Sequence, residues 1–261
     1  MRARRSCAMF AFRVSKDIRG KGYGRVIQTM MTDHLLKVNP DLKTAISAIP
    51  DSHMTEAEIV NPKHGQLLTV KAVHTFKLRC SDLPVGAEKS SLQRLSKESF
   101  SDFLHGQSLD HLFEGNVIHM NWVPVKLTTK EKDDIEFVVR KKQIVLMDDV
   151  KDSLSILTLP FPTGGGTEMT IDFFGDDSQL LMQHVREQLR HLKTAETTAI
   201  IKERHQGQDI GDLFLTVVLN IKMTESFMEV AAKLGLGQFH HLHGSVKRDH
   251  YKMYIYEKKN L

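Results

Sequence analysis

Residues 16–31, KDIRGKGYGRVIQTMM, place Gly20, Gly22 and Gly24 at alternate positions between a run of strand character and a run of helical character. The preceding FAFRVS alternates Phe10, Phe12 and Val14 with smaller or polar neighbours, the two-residue period of a strand. After the glycines, Val26, Ile27, Met30, Met31, Leu35 and Val38 recur at helical spacing, which predicts an amphipathic helix running to about Lys37 and stopping before Pro40. The glycines therefore sit at a strand-to-helix turn. Their spacing is neither a dinucleotide fingerprint, because the sixth position from Gly20 is Arg25, nor a Walker A loop, because Gly20 and Lys21 are followed by Gly22. What remains is R-x-x-G-x-G, from Arg19 to Gly24.

Such a turn has a chemical bias. The first amides of a helix lack intrahelical partners and carry partial positive charge, so anions bind there. Glycine lets a phosphate reach the backbone without meeting a Cβ. Arg19, Lys21 and Arg25 add positive charge, opposed nearby only by Asp17, and a pyrophosphate suits the turn. The plainer alternative is a glycine-rich surface turn with solvated basic residues.

The 261 residues are 41% hydrophobic, enough for one large or two ordinary domains. A net charge of +4, spread along the chain, gives little support to nucleic-acid binding. The short apolar CAMFAF after MRARR does not make a secretory signal, and no apolar run has the length of a membrane span. Cys7 and Cys80 are the only cysteines, which excludes a disulfide framework and suits a reducing, cytoplasmic setting. Each reads as a small buried hydrophobe.

Further along, KTAISAI reads as a strand, making a strand, helix, strand unit with parallel neighbours. MTEAEIV suits one or two helical turns, and GQLLTVKAVHTFKL an extended run with Leu68, Val70, Ala72 and His74 facing one way. Residues 81–115 read as a helical connector, from SSLQRLSKESFSDFL and SLDHLF. Then NVIHMNWVPVKL, QIVLM and LSILTLPFP are strand-like, and Thr128 with Glu131 forms a capping box. MTIDFFG leads into a helix whose face is marked by Leu180, Leu181, His184, Val185, Gln188, Leu189 and Leu192. TTAII is read as the next strand, ESFMEVAAKLGLG as a helix and YKMYIYEK as the terminal strand.

FRVSKDIRGKGYGRVIQTMM resembles the acetyl-CoA-binding segment of the GNAT superfamily of N-acetyltransferases. Together with LSILTLPFP and MTIDFFG, it makes the chain similar to the vertebrate histidine N-acetyltransferase group. The resemblance implies an α/β (α+β GNAT-like) fold, a mixed central sheet with flanking helices, followed by a second, degenerate GNAT-like unit. Residues 1–80 would be a partial acetyl-CoA-binding domain, incomplete at its N-terminal side, and residues 116–261 the degenerate unit. There, FFGDDSQ puts Asp176 and Asp177 where the first turn has glycines and cations, which repels a pyrophosphate. CAMFAF would then form an exposed sheet edge through which copies could self-associate.

By the same resemblance, Phe12 and Val14 meet the pantetheine arm, and Arg19, Gly20, Lys21, Gly22, Tyr23 and Gly24 meet the pyrophosphate of acetyl-CoA. The implied reaction is transfer of acetyl to the amine of a small molecule, the α-amine of L-histidine, without a metal. No general base or acid is assigned. The tyrosine that many members use to protonate the thiolate is missing from its usual helix, since Tyr23 lies in the loop and Tyr251, Tyr254 and Tyr256 lie at the far C-terminus. Asp51 and His53 follow KTAISAI but read as ordinary turn residues. His240, His241, His243 and His250 lack cysteine or acidic partners at ligand spacing and read as a polar loop. Trp122 reads as core, and KEKDD as a solvated helix face. The competing readings are a non-catalytic CoA-binding or structural paralogue, and a protein or peptide N-acetyltransferase.

Overall fold

The computed structural model describes residues 6–9, 21–40, 42–51, 54–60, 65–78, 90–106, 109, 111–120, 123–127, 136, 138–139, 143–163, 166–192, 194, 199, 203, 213–237, 241–243, 246–248 and 250–259. The expected strand FAFRVS and the Thr128 to Glu131 capping box lie outside them. The strand β1 (Ser6–Met9) pairs in parallel with β2 (Thr44–Pro50), Cys7 opposite Ala45, and α1 (Tyr23–Val38) falls between them in the chain. Parallel neighbours need a crossover rather than a hairpin, which a helix provides. A short α2 (Glu56–Val60) follows, then the long β3 (Gln66–Leu78).

The middle of the chain supplies β4 (Gln93–Leu95), α3 (Lys97–Gly106) and a hairpin of β5 (Val117–Met120) and β6 (Val123–Lys126). Gln93–Leu95 corrects part of the helical reading of residues 81–115: these residues pair with β7 (Gln143–Met147), Arg94 opposite Leu146. Three residues are too short to display a period, so only the pairing identifies them. An antiparallel pair, β8 (Leu154–Thr163) and β9 (Gly166–Phe174), leads into α4 (Ser178–Leu192). Beside β9 lies β10 (Leu213–Asn220), parallel to it, with Leu213 opposite Thr167 and Val218 opposite Asp172. The sequence reading puts TTAII in that place; of that run only Ala199 is among the described residues, and it is helical. The β-branched run of TTAII mimics a strand, whereas the eight-residue apolar run of β10 is long enough to be buried on both sheet faces. The chain ends with α5 (Thr224–Lys233), a small ribbon of β11 (His241–His243) and β12 (Val246–Arg248), and β13 (Tyr251–Lys259).

Nine strands form one mixed sheet in the order β1-β2-β13-β3-β10-β9-β8-β7-β4. Each parallel pair is flanked by the strand that ends the other strand–helix–strand–helix–strand run. The C-terminal β13 lies against β2 (Tyr254 opposite Ile49), and β3 lies against β10 (Lys71 opposite Asn220). β13 and β3 are themselves neighbours, with Met253 opposite Lys71. One sheet therefore runs across the segments 1–80 and 116–261.

Helices α4 and α5 cover one sheet face, burying Leu181, Val185, Leu189, Phe227 and Val230 against Ile171, Phe173, Leu215 and Val217. Leu180 is only half-buried, and Glu187 takes a place on the buried side. On the opposite face, α3 and the β5–β6 hairpin bury Phe100, Leu104, Ile118 and Val125 against Leu154, Ile156 and Phe174. The hairpin is tied to two interior strands of the sheet, to β9 by His119 Nδ1 to Asp172 Oδ1 at 2.8 Å and to β13 by Lys126 Nζ to Glu257 Oε1 at 2.6 Å. The stripe on α1 is different: Val26, Ile27, Met30 and Met31 are exposed, Met30 to 65%. None of the helices among the described residues is long and apolar enough to cross a membrane.

Candidate functional site

The two helices that follow the first strand of a parallel pair begin in opposite ways. At α1, Gly22 is left-handed, with φ 80° and ψ −4°, and as the N-cap residue it makes no side-chain cap among the described residues. Val26 N–H reaches back to Gly22 O at 3.2 Å, so the helix starts here. No acid lies in the first turn, Lys21, Gly22 and Tyr23 are exposed, and a Cβ on Gly22 would meet nothing within 4 Å. These residues suit a phosphate group: a left-handed glycine with room at its Cβ position opens a helix start beside Lys21. Gly24 lies within α1. Phe12, Val14, Arg19 and Gly20 lie outside the described residues.

At α4 the same amides are occupied. Asp177 Oδ1 accepts from Gln179 N–H at 2.6 Å and Leu180 N–H at 2.9 Å, which makes it the N-cap. Gly175, with φ 138°, turns the chain where a Cβ would press on Ser153 Cβ at 3.0 Å. A carboxylate already fills the position that an incoming anion would need, and Asp176 adds a second negative charge.

The tyrosines distant in sequence are not distant in the fold. β13 brings Tyr254 opposite Ile49 and Tyr256 opposite Ser47, next to the end of β2. Both are buried, their rings stack with centroids 6.3 Å apart, and the Tyr256 hydroxyl lies 4.0 Å from Met54 Sδ. Burial, with the charge of Asp51 adding to it, raises the Tyr254 hydroxyl above the ordinary tyrosine range. Burial does the same at Tyr251, with Glu168 and Asp51 contributing. Asp51 is half-buried, and His53 lies outside the described residues. The sequence signal was the spacing of Tyr251, Tyr254 and Tyr256 on one strand, but nothing local says which strand it joins.

A cavity of about 250 Å³ opens where β9 and β10 diverge beyond their last paired residues, Asp172 and Val218. Its walls include Lys71, Glu114, Phe174, Asp176, Asn220 and Lys222. Glu114 Oε2 accepts from Thr69 Oγ1 at 2.6 Å and from Asn220 Nδ2 at 3.3 Å. Burial lowers the pKa of Lys71, against the opposing effect of the carboxylates of Glu114, Asp172 and Asp176. The described residues hold no group of three or more His, Cys, Asp and Glu placed for a metal ion.

Residues 88–203 match the family model described as histidine N-acetyltransferase, C-terminal. No curated protein matches the chain. Among solved structures, the chain is similar to GCN5-related N-acetyltransferases from Kribbella flavida (10% identity, TM-score 0.35) and Anabaena variabilis (9%, TM-score 0.39). It is also similar to one from Sphaerobacter thermophilus (14%, TM-score 0.40). The alignments cover 94%, 93% and 94% of this chain and 51%, 52% and 70% of theirs, so the chain spans about half the length of the first two. Residues 88–203, somewhat under half of the chain, are thus similar to the C-terminal region of histidine N-acetyltransferases.

Proposed function

We propose that the chain takes part in acetyl-CoA-dependent N-acetyl transfer to the amine of a small molecule, with the α-amine of L-histidine as acceptor. The observation that carries this reading is the contrast between two equivalent helix starts, one open at Gly22 and one closed by Asp177. The family match over residues 88–203 supports the reaction class and the acceptor. In this reading the first amides of α1, with Lys21, hold the pyrophosphate, and acetyl-CoA supplies the acetyl thioester. The neutral amine forms the new C–N bond as the C–S bond breaks, the amine loses a proton and the sulfur gains one. Tyr254, kept protonated by burial and by Asp51 at the end of β2, is suited to hold the second proton.

The test separates backbone strain from steric exclusion. Any side chain at Gly22 pays for its left-handed backbone with about 1–2 kcal/mol. Gly22→Ala and Gly22→Trp should therefore lose similar thermal stability. Only the tryptophan puts bulk where phosphate would approach, so calorimetry should show CoA affinity falling at least tenfold further in Gly22→Trp than in Gly22→Ala. Equal affinities would remove the assignment. A radiolabel screen over free amino acids and peptides then reads the acceptor, and Tyr254→Phe should slow turnover about 100-fold with CoA binding unchanged. Full activity in that variant would exclude Tyr254 as the donor.

A further inference from the structure

We propose that the cavity at the diverging ends of β9 and β10 is a second ligand site, for the zwitterion of a free α-amino acid, with Lys71 taking its carboxylate and Glu114 and Asp176 its ammonium group. The proposal does not depend on acetyl transfer, since it concerns a cavity apart from the turn at Gly22.

Three observations carry it. Lys71 is 4% exposed and lines the cavity, yet no hydrogen bond or ion pair reaches its ammonium group among the described residues. The carboxylates of Glu114, Asp172 and Asp176 act on it electrostatically without a hydrogen bond, so its ammonium group is left to meet an anion that enters the cavity. The position is forced by the sheet: Lys71 lies opposite both Met253 and Asn220, so its side chain emerges on the hairpin face just where β10 ends. Second, the lining charges balance and are layered. Lys71 is buried, whereas Glu114, Asp176 and Lys222 are exposed, so one cation forms the floor and both carboxylates stand at the mouth with Lys222. A ligand with a carboxylate and an ammonium on neighbouring atoms can meet both layers at once. Third, about 250 Å³ admits one free amino acid, while a peptide, whose termini are far apart, presents only one of the two charges.

The arrangement also says what the site ignores. With the α-carboxylate on the floor and the ammonium at the rim, the amino-acid side chain points to the mouth. Several small free amino acids should therefore bind with affinities within about tenfold of one another. The full chain, without CoA, is titrated by calorimetry with L-alanine, L-histidine, histidine amide and N-acetylhistidine. The two free amino acids should bind, and the amide and the N-acetyl derivative, each lacking one charge, should bind at least tenfold more weakly. Lys71→Met, which replaces the ammonium on a mostly buried side chain by an apolar group of similar length, should stay folded and lose at least tenfold in L-alanine affinity while keeping CoA affinity. Glu114→Gln, at the exposed rim, should weaken L-alanine with the fold intact and serves if Lys71→Met is unstable. The proposal is overturned if neither free amino acid binds, if the amide or the N-acetyl derivative binds as well as the parent amino acid, or if both variants bind L-alanine like the parent. Loss of CoA binding in Gly22→Trp, or its absence in the parent, bears only on the transfer reading, so the two fail separately.

Discussion

At the scale of single residues, two buried histidines make the fold sensitive to acid. His74 packs against Phe227 and His250, with ring centroids 4.9 and 5.1 Å away, and neither ring nitrogen has a hydrogen-bond partner among the described residues. Burial lowers its pKa from 6.5 to about 3, with His250 adding to the shift. His184 bridges Ser153 Oγ and Ser155 Oγ, each at 2.8 Å, and burial lowers it to about 4 against the pull of Asp148. In both, the folded chain binds its proton less readily than the unfolded chain. Their contribution is complete above pH 6.5 and is lost as pH falls through 6.5 toward 4 and 3. By pH 5 each should cost about 2 kcal/mol, a large part of an ordinary stability of about 5–15 kcal/mol. The check is the melting temperature at about pH 7.5 and pH 5 for the parent and for His74→Phe. The phenylalanine keeps the ring packing and removes one titration, so its pH dependence should be shallower by about half. An unchanged slope would show that His74 does not titrate between the two states.

At the scale of elements, caps decide which helix start is open. Thr55 and Glu58 form a reciprocal capping box on α2, with Glu58 Oε2 accepting from Thr55 N–H at 3.0 Å and Thr55 Oγ1 from Glu58 N–H at 3.3 Å. Asp177 closes α4, and among the described residues no side-chain cap closes α1. Asp177→Ala should therefore cost about 1 kcal/mol through the lost cap. It should not create CoA binding, because Asp176 remains and the turn has no cation like Lys21. A melt and a CoA titration of this variant test both halves of the statement, and micromolar CoA binding would contradict the second.

At the scale of the whole molecule, the last strand is structural for the first. β13 separates β2 from β3 and buries Met253, Tyr254, Ile255 and Tyr256, none more than 8% exposed. Truncation after Asp249 removes these side chains and leaves β2 and β3 without the strand that joins them. Loss of four large core side chains at about 2–5 kcal/mol each exceeds ordinary domain stability. Differential scanning calorimetry of the truncated chain should show no cooperative transition, and a transition near that of the parent would mean that the two regions fold independently. The same geometry makes residues 116–261 a poor unit alone, since β10 and β13 would both lose β3.

The strand, turn and helix at residues 16–31 could be proposed from the sequence because period, glycine position and Pro40 act on near neighbours. In the described structure α1 and the turn at Gly22 lie where the sequence placed them. The α4 helix and the acidic turn before it were legible for the same reason. What the sequence left open was pairing. TTAII and LFLTVVLN both look like strands locally, and only the sheet selects the second to lie beside β9. Tyr254 is far from β2 in sequence and joins it only because β13 crosses to pair with it. Lys71 reads as an ordinary polar residue in GQLLTVKAVHTFKL, and its burial depends on β10, β13 and the Glu114 turn closing around it. Local periodicity fixes where helices and strands form, whereas strand order depends on contacts between segments hundreds of ångströms of chain apart, whose burial no neighbouring residue records.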